Sequence, residues 1–523
     1  MSGTLALPAA TARPSSEGRR MFAFLCMVFG MFMAILDIQI VSASLAEIQA
    51  GLAASSDEIS WVQTSYLIAE VVMIPLSGFL SRAFSTRWLF VASAVGFTTM
   101  SLLCATATTI SQMIVYRALQ GFLGGGMIPT VFAAAYSVFP REKQSVVSPM
   151  IGLVATLAPT IGPTVGGYLT DLFSWHWLFL VNVVPGIFVA IACAILVDFD
   201  EPDLSLLDRF DWWGLLFMAG FLGSLEYVLE EGPTNDWFED NTILAFAVVC
   251  AFSSVAFFAR AFMARHPVVE LRAFANRNFA VGSAFSFVMG IGLYGLTYLY
   301  PLYLARVRGY SALMIGETMF VSGLAMFLTA PIAGRLSAKV DPRIMMAAGF
   351  LGFAIGTWQV TYITKDWDFW ELLVPQILRG VSLMTAMIPI NNVSLGTLPP
   401  AQLKNASGLF NLTRNLGGAV GLALINTVLN NRWDLHLARL HESVQWARGA
   451  AVERLDTMTA ALSALGSDAE LAALKKLAGQ VRIQAEVMAF SDVFLVLTGL
   501  FVTLFFFAPL MRRPVNKGGG GGH

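Results

Sequence analysis

Charge is scarce in this 523-residue chain: Asp, Glu, Lys and Arg make up 13% of it, about half of what a soluble domain carries. That excludes an ordinary water-soluble globular protein. Cysteine is nearly as rare, and Cys26, Cys104, Cys193 and Cys250 all fall in apolar runs, which excludes a disulfide framework and implies inert, membrane-buried thiols. The chain contains no zinc-spaced Cys/His set, no GxxxxGK[ST] phosphate loop and no serine-hydrolase elbow with a matching partner set. No metal, nucleotide or other cofactor is therefore expected, nor an enzymatic activity, and no nucleic-acid partner. The net charge of −2 is uninformative as a total; the placement of the basic residues matters instead.

Hydrophobic residues are abundant, at 56% of the chain. Runs of about 17 to 25 apolar residues mark spans at 21–46, 58–80, 87–107, 110–135, 143–170, 178–197, 212–230, 241–261, 278–305, 311–335, 343–363, 369–395, 404–430 and 491–511. An all-α polytopic membrane protein with fourteen transmembrane helices in a lipid bilayer is expected. The first run lacks a convincing small-residue cleavage site and reads as a spanning helix rather than a signal peptide; the terminal GGGGGH reads as an appended remnant. With the N-terminus inside, nineteen Lys and Arg fall in inside segments against three, Arg306, Arg308 and Lys365, in short outside loops. The positive-inside rule thus puts both termini in the cytoplasm.

Seven more basic residues lie in the long stretch 431–490, which this topology puts outside and which the charge rule exempts by its length. It contains two amphipathic patterns, WDLHLARLHESVQWARGAAVERL and, after a capping Ser467-Asp468, AELAALKKLAGQVRIQAEVMAF. Their apolar faces either pack on each other as an external hairpin or dock a periplasmic partner.

An internal repeat supplies the architecture. Pro75-Leu-Ser-Gly-Phe-Leu-Ser-Arg-Ala-Phe-Ser-Thr-Arg87 and Pro331-Ile-Ala-Gly-Arg-Leu-Ser-Ala-Lys-Val-Asp-Pro-Arg343 share Pro, Gly, Leu, Ser and a final Arg at the same offsets, 256 residues apart. Spans 4 and 12 agree: Arg117 precedes Met127-Ile-Pro129 as Arg379 precedes Met387-Ile-Pro389. Two parallel six-helix bundles with spans 7 and 8 inserted between them, 6+2+6, satisfy the pattern. The expected organisation is a tail 1–20, a first bundle 21–200, the inserted pair 201–265, a second bundle 266–511 containing the insertion 431–490, and a tail 512–523.

Residues 151–169, IGLVATLAPTIGPTVGGYL, form a charge-free span threaded with proline and paired glycine. Such residues are tolerated in a membrane helix where neighbours approach closely. Pro159, Gly162, Pro163, Gly166 and Gly167 resemble the antiporter motif of the fifth helix in drug:proton antiporters. Leu36-Asp37, Arg117-Ala-Leu-Gln-Gly121, Trp175-His-Trp-Leu-Phe-Leu-Val-Asn-Val-Val-Pro185 and Asn411-Leu-Thr-Arg-Asn-Leu-Gly-Gly418 extend the likeness. Almost the whole chain resembles the fourteen-helix drug:proton antiporter branch of the major facilitator superfamily, the EmrB/QacA type. The resemblance implies the facilitator fold, proton-gradient-driven efflux, and an intracellular gate at Gly78, Arg82 and Arg87. Ser81 and Phe84 stand where the family usually carries an acid and a glycine, so the acid of the gating contact is missing. Gln39 and Ser42 replace the commoner Thr and Asn after Asp37.

A carboxylate at membrane depth is expensive and usually functional. Asp37 in span 1 is the first proton-carrier candidate. Glu70, about midway along span 2, is a second that the family does not supply, and Arg117 is their cationic partner, acting electrostatically because a guanidinium does not release its proton. Glu226 sits on a helix expected to be peripheral, Glu230 and Glu231 read as loop-edge residues, and Arg379 and Arg414 read as structural. The substrate cavity is expected to draw on spans 1, 2, 4 and 5 and their equivalents 9, 10, 12 and 13: Gln39, Gln63, Tyr66, Gln120, Tyr294, Tyr298, Met384, Asn391 and Asn392, an aromatic, Met and amide surface suited to hydrophobic small molecules.

One charge crossing about 150 mV releases roughly 3.5 kcal/mol, about a 300-fold concentration ratio; a proton gradient suffices. The expected function is a proton-coupled multidrug efflux antiporter of the bacterial inner membrane. The resemblance further implies a tripartite pump with a periplasmic membrane-fusion adaptor and a TolC-like outer-membrane channel. The alternative is an exporter dedicated to one metabolite, such as a fatty acid, siderophore or signalling lipid.

Overall fold

A computed structural model describes residues 17–445 and 447–512, so the expected terminal tails fall largely outside the described residues. Within these, the chain is helical and without strands. Fourteen long helices follow one another: α1 (Glu17–Ala43), α2 (Trp61–Ala83), α3 (Ser85–Ala105), α4 (Ile110–Val138, interrupted at Gly125-Gly126), α5 (Gln144–Leu172), α6 (Trp177–Leu196) and α7 (Trp212–Glu231). Then come α8 (Asn241–Met263), α9 (Arg277–Arg306), α10 (Ala312–Ser337), α11 (Pro342–Val360), α12 (Phe369–Gly396), α13 (Pro400–Ser443) and α14 (Ala469–Phe507). Twelve are long and apolar enough to cross a bilayer by composition alone. The other two, α11 and α13, occupy their expected places in the order, α13 being diluted by buried Asn405, Asn411 and Arg414.

In the first bundle α5 packs on α1, α2 on α4, and α6 on α3; in the second α9 packs on α13, α12 on α10 and α11, and α14 on α11 and α13. The bundles meet where α5 lies on α10 and α2 on α13. Here the inserted pair departs from its expected peripheral place. While α8 is exposed along most of its length, α7 packs against both α2 and α13 beside the place where these two meet. Gly223 leaves room for Ile68, the Trp61 and Tyr227 rings stack with centroids 5.3 Å apart, Thr64 Oγ1 donates to Glu231 Oε1 at 3.2 Å, and Trp237 Nε1 donates to Thr427 Oγ1 at 3.1 Å.

The second departure concerns 431–490. The two segments do pack on each other as an external hairpin would, but as continuations of two membrane helices, since α13 runs 44 residues without a break and α14 runs 39. At about 1.5 Å per residue α13 measures roughly 66 Å, twice the hydrocarbon core. The first amphipathic pattern breaks after Ser443 and resumes as the short helix Gly449–Ala461. Asp468 stands at the N-cap of α14 but its side chain makes no capping bond. Leu455, Met458 and Ala473 form a small core at the tip, with Leu462 and Leu477 against it. His436 and Arg432 both meet Asp492, at 2.9 and 3.5 Å, and tie the stalk together at its base. Leu471 and Leu474 remain exposed. This end is the projecting face, and the opposite end, where residues 17 and 512 lie, is the terminal face.

Candidate functional site

Asp37 is fully buried, and four side chains from three other helices of the first bundle converge on its environment. Arg117 Nη1 donates to Asp37 Oδ2 at 2.6 Å and to Gln120 Oε1 at 2.7 Å, while Arg117 Nε donates to the Val62 carbonyl at 3.1 Å. Asn182 Nδ2 and Gln120 Nε2 donate to Asp37 Oδ1 at 2.6 and 3.3 Å, and Gln120 Nε2 also reaches Ser101 Oγ at 2.7 Å. The Tyr66 ring lies 4.3 Å from the Arg117 guanidinium carbon. A buried ion pair is tolerable only when its remaining lone pairs are satisfied, and here Asn182 and Gln120 satisfy them. Asn182 and Ser101 were not singled out from the sequence, although Asn182 belongs to the motif entering α6, where an amide in an apolar stretch was the available signal.

The glycines of α5 lie against α1 just past Asp37. A side chain at Gly162 would strike Gln39, and a Cβ at Gly166 would sit 2.7 Å from the Ile40 carbonyl oxygen. Pro159, Pro163 and Gly167 share the helix. Its other side faces α10 of the second bundle, where Gly323 and Gly316 admit Leu157 and Thr164. Thus α5 packs on α1 just past Asp37 and on α10 of the opposite bundle, with glycines allowing the close approach on both sides.

Glu70 differs from Asp37. It is 3% exposed, and among the described residues it takes no hydrogen bond and no ion pair. It interacts electrostatically with Arg117 of its own bundle and with Arg414 of α13 across the interface. Arg414, read from sequence as structural, gives one nitrogen to Asn411 Oδ1 at 2.6 Å; its Nε and Nη1, like Arg117 Nη2, are buried without a partner. Glu226 is 6% exposed and likewise without a hydrogen bond or ion pair among the described residues, within electrostatic reach of Glu70 and Glu230. The packing of α7 against helices of both bundles, not expected from its position in the order, carries it there.

The repeat is chemically uneven. Arg379 corresponds to Arg117, but its Nη2 donates at 2.5 Å to Thr297 Oγ1 instead of a carboxylate, and its Nε and Nη1 are unpartnered. Of the remaining cavity candidates, Tyr294 lies within electrostatic reach of Arg414, Glu70 and Glu226, while the others scatter. Tyr294 and Tyr298 donate to Asn415 and Asn426 at 3.3 and 2.7 Å, Met384 is buried in the main core, and Asn391 is buried with both amide atoms unpartnered. Gln63 has an unpartnered Oε1, Gln120 belongs to the Asp37 network, and Asn392 sits toward the terminal face between Tyr136 and Ser337.

A family model described as the Major Facilitator Superfamily matches residues 27–422. The chain belongs to that superfamily. Among its relatives, the colistin resistance protein EmrB of Acinetobacter baumannii is 42% identical over 92% of this chain and 94% of its own length. The multidrug export protein EmrB of Escherichia coli K12 is 28% identical over 98% of this chain and 99% of its own. The crystal structure of the human organic anion transporter MFSD10 superposes with a TM-score of 0.57, covering 93% of this chain and 100% of that one at 13% identity, which speaks to the fold alone.

At the terminal face, the segment expected to form the gate makes contacts with residues that the sequence reading did not assign. Gly78 lies so close to α13 that a Cβ would come 2.8 Å from Asn405 Cα. The acid absent from position 81 is replaced by Asp200, just beyond α6: it accepts from the Thr86 amide at 3.1 Å and pairs with Lys404 of α13, which also donates to the Ser81 carbonyl at 2.9 Å. Arg82 pairs with Glu270 at 2.8 Å. Arg87 instead lies over the Trp88 ring at 5.2 Å. With no glycine at the α2–α3 turn, Ser85 adopts a left-handed φ of 71°.

Proposed function

We propose that this facilitator is a proton-coupled exporter of hydrophobic and amphipathic compounds in the bacterial inner membrane, with its terminal face in the cytoplasm. The observation that carries the reading is Glu70, a buried acid with no partner, set between guanidiniums of both bundles whose free N–H groups also lack partners. A deprotonated Glu70 is positioned to engage Arg117 Nη2 and Arg414, drawing the bundles together; a protonated one releases them. Asp37 holds the other face of Arg117, and α5 carries any shift of that cluster to α10. Multidrug export and colistin resistance in the names of the relatives support amphipathic cargo.

Gradient-driven ethidium transport in proteoliposomes, comparing the wild type with Asp37→Asn and Glu70→Gln, tests the reading. Loss of transport with retained ethidium binding supports it. An intact wild type that moves no ethidium under a pH gradient rejects multidrug antiport in favour of a dedicated metabolite exporter.

The projecting stalk is the natural contact for a periplasmic membrane-fusion adaptor leading to a TolC-like channel, with Leu471 and Leu474 available at its tip. Removing the stalk tip should abolish efflux from cells while leaving binding by the purified protein intact; unchanged efflux would reject the tripartite assembly.

A further inference from the structure

A cavity of about 1000 Å³ opens at the terminal face, away from Asp37. Its walls come from the end of α2, the linker before α7, the end of α8 and the segment leading into α9. Four arginines line it, Arg82, Arg209, Arg265 and Arg272, against two acids, Asp208 and Glu270. Only Arg82 is engaged, with Glu270, and its Nε is still buried without a partner. Arg209, Arg265 and Arg272 take no hydrogen bond or ion pair among the described residues. Guanidiniums are the donors that suit phosphate, through two parallel N–H bonds.

The apolar side of the cavity settles what kind of phosphate fits. Phe258 and Phe262 line it from α8, and α8 is the outermost helix: Phe252, Val255, Phe262 and Met263 stand exposed along its outer surface. In a bilayer that surface is acyl-chain territory, and the basic pocket sits where the helix leaves the hydrocarbon. A soluble phosphate would use the arginines alone; a phospholipid uses both walls. Basic pockets between spans on the positively charged side are suited to anionic head groups.

We infer that this cavity binds the phosphate head group of an anionic phospholipid from the terminal-face leaflet, with its acyl chains along α8. The site is distinct from the proposed proton-coupling residues, because none of its residues belongs to the Asp37 or Glu70 cluster. It nevertheless touches the gate, since the head group competes with Glu270 for Arg82. Its three walls belong to the first bundle, the inserted pair and the approach to the second bundle, so occupancy bears on how these parts move.

The test is native mass spectrometry of the full-length protein released from nanodiscs containing phosphatidylglycerol and phosphatidylethanolamine, for the wild type and the R209Q/R265Q/R272Q variant. The expected result is selective retention of phosphatidylglycerol by the wild type, its loss in the variant, and displacement by excess glycerol phosphate. Equal retention of both lipids, or a variant that keeps the preference, overturns the inference. Inorganic phosphate raising the thermal stability of lipid-depleted protein as much as phosphatidylglycerol does would assign the arginines to a soluble phosphate and overturn the lipid. Arg272→Gln alone, with an unchanged size-exclusion profile, guards against a folding defect and should weaken retention.

Discussion

The Lys404–Asp200 pair should decide how tightly the terminal face closes. Both partners are partly shielded, at 18% and 22% side-chain exposure. Their link is therefore worth more than a solvated surface pair, about 0–1 kcal/mol, and less than a fully buried pair, whose disruption costs about 3–5 kcal/mol. Roughly 2 kcal/mol lies between, about a thirtyfold change in the closed-to-open ratio of the gate. Lys404→Met should shift the gate by that amount. Asp200→Asn should shift it further, because Asp200 also accepts from the Thr86 amide at the start of α3, where a negative charge is favoured. The assay is a pair of spin labels at the terminal-face ends of α2 and α13 in nanodiscs, with distance distributions read by double electron–electron resonance. Each variant should populate a longer distance, and the double variant should add little to Asp200→Asn. Unchanged distributions in both single variants, or strictly additive effects, would refute the assignment of Asp200 as the replacement for the absent acid.

The two repeat-related arginines should behave oppositely. Arg117→Met strands Asp37 in the core and should cost about 3–5 kcal/mol, whereas Arg379→Met removes a guanidinium with no acid partner and should be neutral or stabilising; unfolding midpoints in detergent distinguish them. Asn182→Ala removes the 2.6 Å donor to Asp37 and should cost about 1.5–3 kcal/mol, the value of a hydrogen bond to a charge, by the same measurement. Gly166→Val forces α5 away from the Ile40 carbonyl and should abolish transport while leaving the protein folded, at an overpacking cost of about 1–3 kcal/mol. Normal transport by this variant would show that the α1–α5 contact is not needed in the cycle.

Much of the fold was legible because membrane spans announce themselves by length and apolarity, and because the repeated Pro-Gly-Leu-Ser-Arg segments identify the halves. The Asp37–Arg117 pairing was legible from the cost of a buried charge. What escaped was lateral. Nothing in the pattern of α7 says which neighbours it packs against, so the bond of Glu231 with Thr64 and the approach of Glu226 to Glu70 could not be read from it. Asp200 lies in a short acidic linker whose composition looks like any loop, and only the chain path brings it to the Thr86 amide. The stalk escaped for a different reason: α13 turns from apolar to polar as it leaves the bilayer, and a change of composition reads as a boundary although the helix continues through it.

The buried charges near the middle of the bundles form a nearly closed account. Among the described residues two buried guanidiniums, Arg117 and Arg414, lie within electrostatic reach of Glu70, which in turn reaches Asp37 and Glu226, whereas Arg379 lies apart beside Tyr300. One pair, Asp37 with Arg117, is locked by hydrogen bonds; Arg414, Glu70 and Glu226 have no ionic partner in contact. With both free acids ionised this set carries one net negative charge, which one proton neutralises, and a second proton would leave a net positive charge in a low-dielectric interior, which is costly. A lipophilic cation entering between the bundles meets the same arithmetic, because it is accommodated only where an acid has stayed ionised. In the proposed cycle a proton and a cationic substrate thus compete for Glu70 and Glu226 without touching the same atoms, and mutual exclusion of that kind is the requirement for exchange rather than cotransport.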